Sequence, residues 1–299
     1  VWLFVAGTVL FGAAIGLNIV LARRFSRGES VLSLPPEAVY WLHRLSLVGI
    51  ILAAVLVSVI FGGLIAGQWE TVLRFANSTT FGVVEPVLDR DVSFYVFTLP
   101  ILNLVQGWLL VALIVLLLAV VSLYFIYCSL RGERFVLTPR IRGHLTILGA
   151  LIFFNLAFNY FLDRYELLFA SGGATFGASY TDVHARLPAL LVLAAIATAS
   201  GVLLLSTLLP ALRGARGVRL IFGAVGLWLG AALLIGGLYP GTVQRFTVEP
   251  NELKRETPYI ERNIVFTRQA FGLGEIQERT FPIQQELAAE SLFRNPETV

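Results

Sequence analysis

The densest group of chemistry-bearing side chains lies between residues 163 and 186. It holds Asp163, Arg164, Tyr165, Glu166, Asp182, His184 and Arg186. Carboxylates near an imidazole are the raw material of acid–base catalysis or of metal ligation. A zinc site needs about three or four ligands of suitable type. The chain has 3 histidines and 1 cysteine, and His43 and His144 lie far from His184 in sequence. No metal or cofactor is therefore expected. Hydrolysis by Asp182 and His184 would lack a recognisable nucleophile. The plainer reading is that these charges cap and pin the ends of neighbouring helices. Asp163, Arg164, Glu166, Asp182, His184 and Arg186 stand as the candidate functional surface, with no catalytic role assigned to any of them.

The elements that must position this surface are apolar. Six stretches run almost free of charge, at 1–22, 45–67, 101–127, 145–162, 187–209 and 220–239. A bilayer core of about 30 Å needs a helix of about 20 residues, so each is long enough to span. Hydrophobic residues make up 57% of the chain and charged residues 14%. Soluble domains carry about 25% charged residues, and the mean hydropathy here is +0.80, so one water-soluble core is excluded. The expected fold is an all-α polytopic membrane protein of six transmembrane helices, followed by the beginning of an extracytoplasmic soluble domain. A net charge of +3 on this length is too small for a nucleic-acid surface.

Arginines sort the loops. Arg23, Arg24, Arg27 and Arg44 follow the first stretch. Arg131, Arg134, Arg140 and Arg142 follow the third, and Arg213, Arg216 and Arg219 the fifth. The intervening loops hold only Arg74 with Arg90, and Arg164 with Arg186. The positive-inside rule places loops 23–44, 128–144 and 210–219 in the cytoplasm. Residues 1–239 are then a transmembrane bundle of the cell membrane. Residues 240–299 are the extracytoplasmic start of a truncated domain. With no methionine and an apolar first residue, the chain is expected to be part of a longer protein.

Local patterns sharpen this layout. Trp69, Val72, Leu73 and Phe75 predict a short interfacial helix anchored by Trp69. The run 91–97 is too short to span, and is expected as a strand against the tail or a dip into the interface. Gly172, Gly173 and Gly177 allow tight turns. In the tail, Thr257 is an expected N-cap for a helix starting at Pro258. Ile260, Ile264, Thr267 and Phe271 recur at helical spacing, and Gly272 can end that helix. A second helix is expected over 284–293. Glu249, Glu252, Glu256 and Glu261 near Arg255 and Arg262 read as a solvated helical face.

Inside the stretches no ionisable group is expected at mid-depth. Asn18, Ser58, Asn103, Gln106, Asn155, Asn159 and Ser200 are the polar candidates. Asn155 and Asn159 share one helical face, where bonding between helices is a commoner use than lining a pathway. Gly12 with Gly16, Gly63 with Gly67, and Gly226 with Gly230 read as internal packing contacts. Cys128 cannot form an internal disulfide and reads as a small packing residue.

Several segments also resemble a known family. They are Asp91-Val-Ser-Phe-Tyr-Val-Phe-Thr-Leu-Pro, Tyr160-Phe-Leu-Asp-Arg-Tyr-Glu-Leu-Leu, Gly177-Ala-Ser-Tyr-Thr-Asp-Val-His-Ala-Arg-Leu-Pro and Val243-Gln-Arg-Phe-Thr-Val-Glu-Pro-Asn-Glu-Leu. Together they resemble bacterial integral membrane proteins grouped as uncharacterised protein family 0182. The resemblance covers essentially the whole chain. It implies a bundle of about seven spans with a large extracytoplasmic domain, and no activity or site residue comes with it. The expected function is a non-enzymatic anchor or scaffold presenting that domain to an envelope protein or lipid partner. The rival expectations are a transporter or channel for a lipid or apolar solute, and a membrane-surface enzyme using the 163–186 loop.

Overall fold

The computed structural model describes residues 1–26, 35–130, 137–171, 173, 176–212, 214–273 and 276. Arg27, Arg131, Arg134, Gly172, Arg213 and the helix expected over 284–293 lie outside them. The described chain is all-α apart from one small hairpin. Its elements run α1 (Trp2–Phe25), α2 (Pro36–Ala66), α3 (Trp69–Ala76), β1 (Val84–Glu85), β2 (Arg90–Asp91), α4 (Leu99–Ser129), α5 (Pro139–Glu166), α6 (Leu187–Ser206), α7 (Ala215–Ala231), α8 (Tyr239–Val243) and α9 (Glu252–Ala270). Six helical segments are long and apolar enough to cross a bilayer: Trp2–Phe25, Glu37–Ala66, Phe94–Ser129, Pro139–Phe169, Asp182–Ser206 and Ala215–Ala270. Their faces leave Leu45, Leu52 and Leu56 of α2, Phe222 of α7 and Leu233 just after α7 exposed. An apolar surface of that extent needs an apolar surrounding.

Proline explains why several helices run longer than their apolar cores. A helical proline lacks an N–H, and its ring collides with the carbonyl one turn back. Here the helix widens into a π-turn instead of stopping. Phe94–Thr98 precedes Leu99-Pro100, Asp182–Arg186 precedes Leu187-Pro188, Ala232–Leu238 precedes Tyr239-Pro240, and Gln244–Val248 precedes Glu249-Pro250. The strand alternative for the run 91–97 is thus corrected. Only Asp91 belongs to a strand, and Val92 onward is helical, leading through the turn Phe94–Thr98 into α4. The expected start at Pro258 is corrected too. Pro258 lies inside α9, and the Thr257 hydroxyl donates to the Leu253 carbonyl instead of capping a new helix. The sixth segment runs helically from Ala215 to Ala270. Gly272, at φ +64, follows its end as expected.

α1 packs on α2, α4 on α5, and α5 on α6. Phe11 and Phe61 stack at 3.8 Å between α1 and α2, with Trp108 of α4 edge-on to Phe61. Of the Gly-x-x-x-Gly glycines, Gly12 packs as expected, since a Cβ there would stand 3.5 Å from the Ser58 hydroxyl of α2. Gly16, Gly63, Gly226 and Gly230 face open space, which corrects the expectation at those four positions. The close approaches fall at Gly62, where a Cβ would sit 2.6 Å from the Phe4 carbonyl, and at Gly201, 2.8 Å from the Phe154 ring.

Several polar side chains within the bundle join helices, whereas Ser58 and Asn159 bond within their own. Asn155 Oδ1 of α5 accepts from Gln106 Nε2 of α4 at 3.0 Å. The Ser200 hydroxyl donates to the Ala224 carbonyl. Asn18 of α1, Tyr124 of α4 and His144 of α5 form a buried triad. Asn18 Nδ2 donates to the Ala14 carbonyl, so its Oδ1 faces His144 Nε2 at 2.8 Å and accepts from it. Nδ1 is then left to accept from the Tyr124 hydroxyl at 2.8 Å. His144, at the edge of the loop expected over 128–144, is thus buried among three helices.

Candidate functional site

Helix ends divide into two sets. One set carries Arg23 and Arg24 at the end of α1, Arg140 and Arg142 at the start of α5, and Arg216 and Arg219 at the start of α7. Arg142 Nη2 donates to the Thr207 carbonyl at 2.5 Å, closing the end of α6. The other set meets the hairpin, the 163–186 segment and α9, and all six candidate residues lie there.

That end is assembled from its own side chains. The short helix expected around Trp69, Val72, Leu73 and Phe75 forms as α3, which buries none of its residues and leaves Trp69 exposed. In the hairpin, Val84 pairs with Asp91 and Glu85 with Arg90. The Glu85 carboxylate accepts from the Val87 and Leu88 amides at 2.7 and 2.8 Å and fixes the turn. Asp91 accepts from the Gly82 and Ser93 amides at 2.9 and 2.8 Å. Hydrogen bonds from the Ser93 hydroxyl and amide hold its carboxyl below the usual value of 3.8.

The segment before α6 is clamped by the helix that continues from α7. Asp182 is buried and accepts from the Ser179 amide and hydroxyl at 3.0 and 2.8 Å. Its other oxygen takes Arg186 Nη1 at 2.9 Å. Glu256 of α9 is buried and accepts the Tyr180 amide on both oxygens at 3.2 Å. Burial pushes the Glu256 carboxyl up, against the Tyr180 bonds, which lower it; it sits beyond the apolar stretch of its helix. Thr181 donates to Gln244, and Asn263 Nδ2 donates to the Phe176 carbonyl at 2.7 Å. The face of α9 that packs is therefore Glu256, Tyr259, Asn263 and Phe266. Ile264 and Phe271 of the expected stripe are exposed.

The six candidate residues separate into three groups. Asp163, Glu166 and Arg186 line one cavity of about 340 Å³ between α5, α6 and the π-turn at Gly236. Asn159 Nδ2 donates to Asp163 at 2.8 Å, and Asn103 Nδ2 to Glu166 at 2.6 Å. Asp182 stands behind Arg186 as its partner. His184 is exposed, stacks on Tyr180 at 4.1 Å and meets the Tyr259 hydroxyl at 3.2 Å. Arg164 lies 3.7 Å from the centre of the Phe161 ring and donates to the Tyr165 hydroxyl. Asp182 and His184 are thus engaged with different partners and share no hydrogen bond. No group of three or more metal-ligating side chains converges among the described residues.

Sequence reasoning missed a second concavity. A cleft of about 300 Å³, mostly apolar, opens where residues distant in sequence meet: Glu85 to Tyr95, Leu168 and Phe169 with Phe176 to Ala178, and Tyr259 to Phe266. Nothing in the local pattern joins residues so far apart. The one usable signal was the spacing of Tyr259, Asn263 and Phe266, which marks a helical face.

The family model for an uncharacterised protein family, UPF0182, matches residues 1–299. A UPF0182 protein of Frankia alni is 36% identical over 97% of this chain and 29% of its own length. One of Thermobifida fusca is 34% identical over 99% of this chain and 29% of its own length. One of Pelotomaculum thermopropionicum is 35% identical over 95% of this chain and 32% of its own length. The chain thus spans about three tenths of the length of these relatives. No solved structure matches. With a match along its whole length and relatives at this identity, the chain belongs to the uncharacterised protein family UPF0182.

Proposed function

We propose that this chain is the anchoring part of a cell-membrane protein, non-enzymatic, which holds an extracytoplasmic region in a set orientation for an envelope partner. The observation that carries the reading is mechanical. The last apolar helix continues from Ala215 to Ala270, and its far part is bonded to the 176–186 segment through Glu256, Gln244 and Asn263. A continuous helix fastened at two levels transmits orientation, which a flexible tether does not. The alternation of arginine-bearing ends supports placing the hairpin end and residues 240–273 outside.

The test uses the full-length protein in its own membrane. Affinity capture after mild crosslinking should recover an envelope component. Glu256→Ala combined with Asn263→Ala should lower that recovery severalfold while the bundle still inserts. Rescue of a deletion strain by residues 1–239 alone would sink the anchoring role. A lipid-handling role is the second reading, favoured by the groove of about 670 Å³ between α1 and α2, lined by Gly12, Gly16 and Arg23. The enzyme reading, centred on Asp182 and His184, would be supported if replacing both with alanine abolished an activity of the stably folded full-length protein.

A further inference from the structure

The cavity between α5, α6 and the π-turn has features that a structural contact does not need. Its charged side chains have unused hydrogen-bonding capacity. Among the described residues, Asp163 accepts only from Asn159, through Oδ2, and Glu166 only from Asn103, through Oε1. Arg186 donates only through Nη1, to Asp182, and its side chain is half exposed. A guanidinium carries five N–H donors and a carboxylate has about four acceptor positions, so each group can take a ligand without losing its present partner. The remaining wall is apolar, with Leu167, Leu190 and Leu193. Leu191, Leu233 and Leu234, close in sequence to the lining residues Leu190 and Gly236, are exposed. The volume, about 340 Å³, lies at the lower end of the range for small-ligand sites.

Two carboxylates from α5, a guanidinium from the turn before α6 and leucines in the same lining are the chemical complement of an amphipathic zwitterion. We infer that this cavity binds the headgroup of a phospholipid bearing a primary ammonium. The ammonium would donate to Asp163 and Glu166, and the phosphate would accept from Arg186. The first acyl carbons would lie along Leu190 and Leu193. A primary ammonium suits the site better than a quaternary one, because carboxylates accept N–H bonds and a trimethylammonium has none to give. A headgroup with phosphate alone would meet the two carboxylates with like charge. Gly236 keeps the cavity open, because a Cβ there would stand 3.1 Å from Leu193 Cδ1. The inference rests on the bilayer placement proposed above and is independent of any envelope partner.

The test is retention of lipid by the intact protein in nanodiscs, read by native mass spectrometry. Nanodiscs contain equal parts of phosphatidylethanolamine, phosphatidylcholine and phosphatidylglycerol. One phosphatidylethanolamine should be retained about tenfold over either competitor, the ratio expected of a charge-assisted hydrogen bond. Asp163→Asn with Glu166→Gln should erase the preference. Gly236→Val should remove the retained lipid with every charge still in place. Soluble glycerophosphoethanolamine should compete weakly, because it lacks the chains that the leucine wall takes. Strong competition by it would reassign the site to a free phosphoethanolamine compound. Equal retention of the three lipids by the wild-type protein overturns the proposal without reference to any variant. Loss of the envelope partner with the lipid preference intact would remove the anchoring role alone.

Discussion

Two polar networks cross this molecule, and they end differently. In the Asn18–His144–Tyr124 triad, every named polar atom meets a partner inside the bundle, and all three side chains are buried. Around Asp163, Glu166 and Arg186, each side chain has one partner among the described residues and further capacity beside a cavity. A closed network holds helices together, because leaving any member unpaired is costly. An open one can accept something else. The difference separates residues that shape the fold from residues that can act, although both are polar groups beside apolar helices.

The largest effect should come from the close packing of α1 on α2. Gly62→Leu places a side chain against the Thr8 hydroxyl and the Phe4 carbonyl, which α1 cannot move away from without separating from α2. A loss of about 3 kcal/mol is expected, read as a lower unfolding midpoint in detergent. Next, His144→Leu keeps volume and leaves the Asn18 and Tyr124 polar atoms without this partner. The expected cost is about 2 kcal/mol, and a double-mutant cycle with Asn18→Leu should recover part of it. If His144→Leu proves neutral, the triad is not closed in the sense argued here.

At the open end the effects should be smaller and local. Glu256→Ala removes the acceptor of the Tyr180 amide, and should speed hydrogen exchange over 176–186 by a few-fold to about tenfold, without changing α1 or α2. Asn155→Ala breaks a single pair between α4 and α5, for about 1 kcal/mol. The smallest effect is a pH dependence in the hairpin. The folded Asp91 carboxyl is held below its free value, so its contribution is fully present above about pH 4 and disappears as acid protonates it. Amide signals of Gly82 and Ser93 should lose their protection on that side only. Protection unchanged down to about pH 2 would show that Asp91 does not organise the hairpin.

Much of the fold could be read from residue order. The six apolar segments were legible because spanning length is a property of consecutive residues. So were α3, the helix stop at Gly272 and the alternation of arginines, each a local pattern with a local cause. Thr257-Pro258 misled for an equally local reason. It has the chemistry of a helix start, but the chain was already helical, and a helix in progress accommodates proline more readily than the motif implies. The π-turns before Pro100, Pro188, Pro240 and Pro250 are the same accommodation at the end where loops gather. The candidate site was only half visible. Asp163, Glu166 and Arg186 were named as one surface, but not as the lining of one cavity, and Gly236 was not named at all.

Chain order alone determined which segments are apolar enough and long enough to span, and which ends carry arginine, because these depend on neighbours along the backbone. Only the tertiary structure decided which polar groups are saturated and which are not. That depends on whether a side chain some fifty to a hundred residues away, as with Gln106 and Asn155 or Tyr180 and Glu256, arrives within about 3 Å. Hydrogen bonds are short and directional, so a group's remaining capacity becomes known only once the helices are packed.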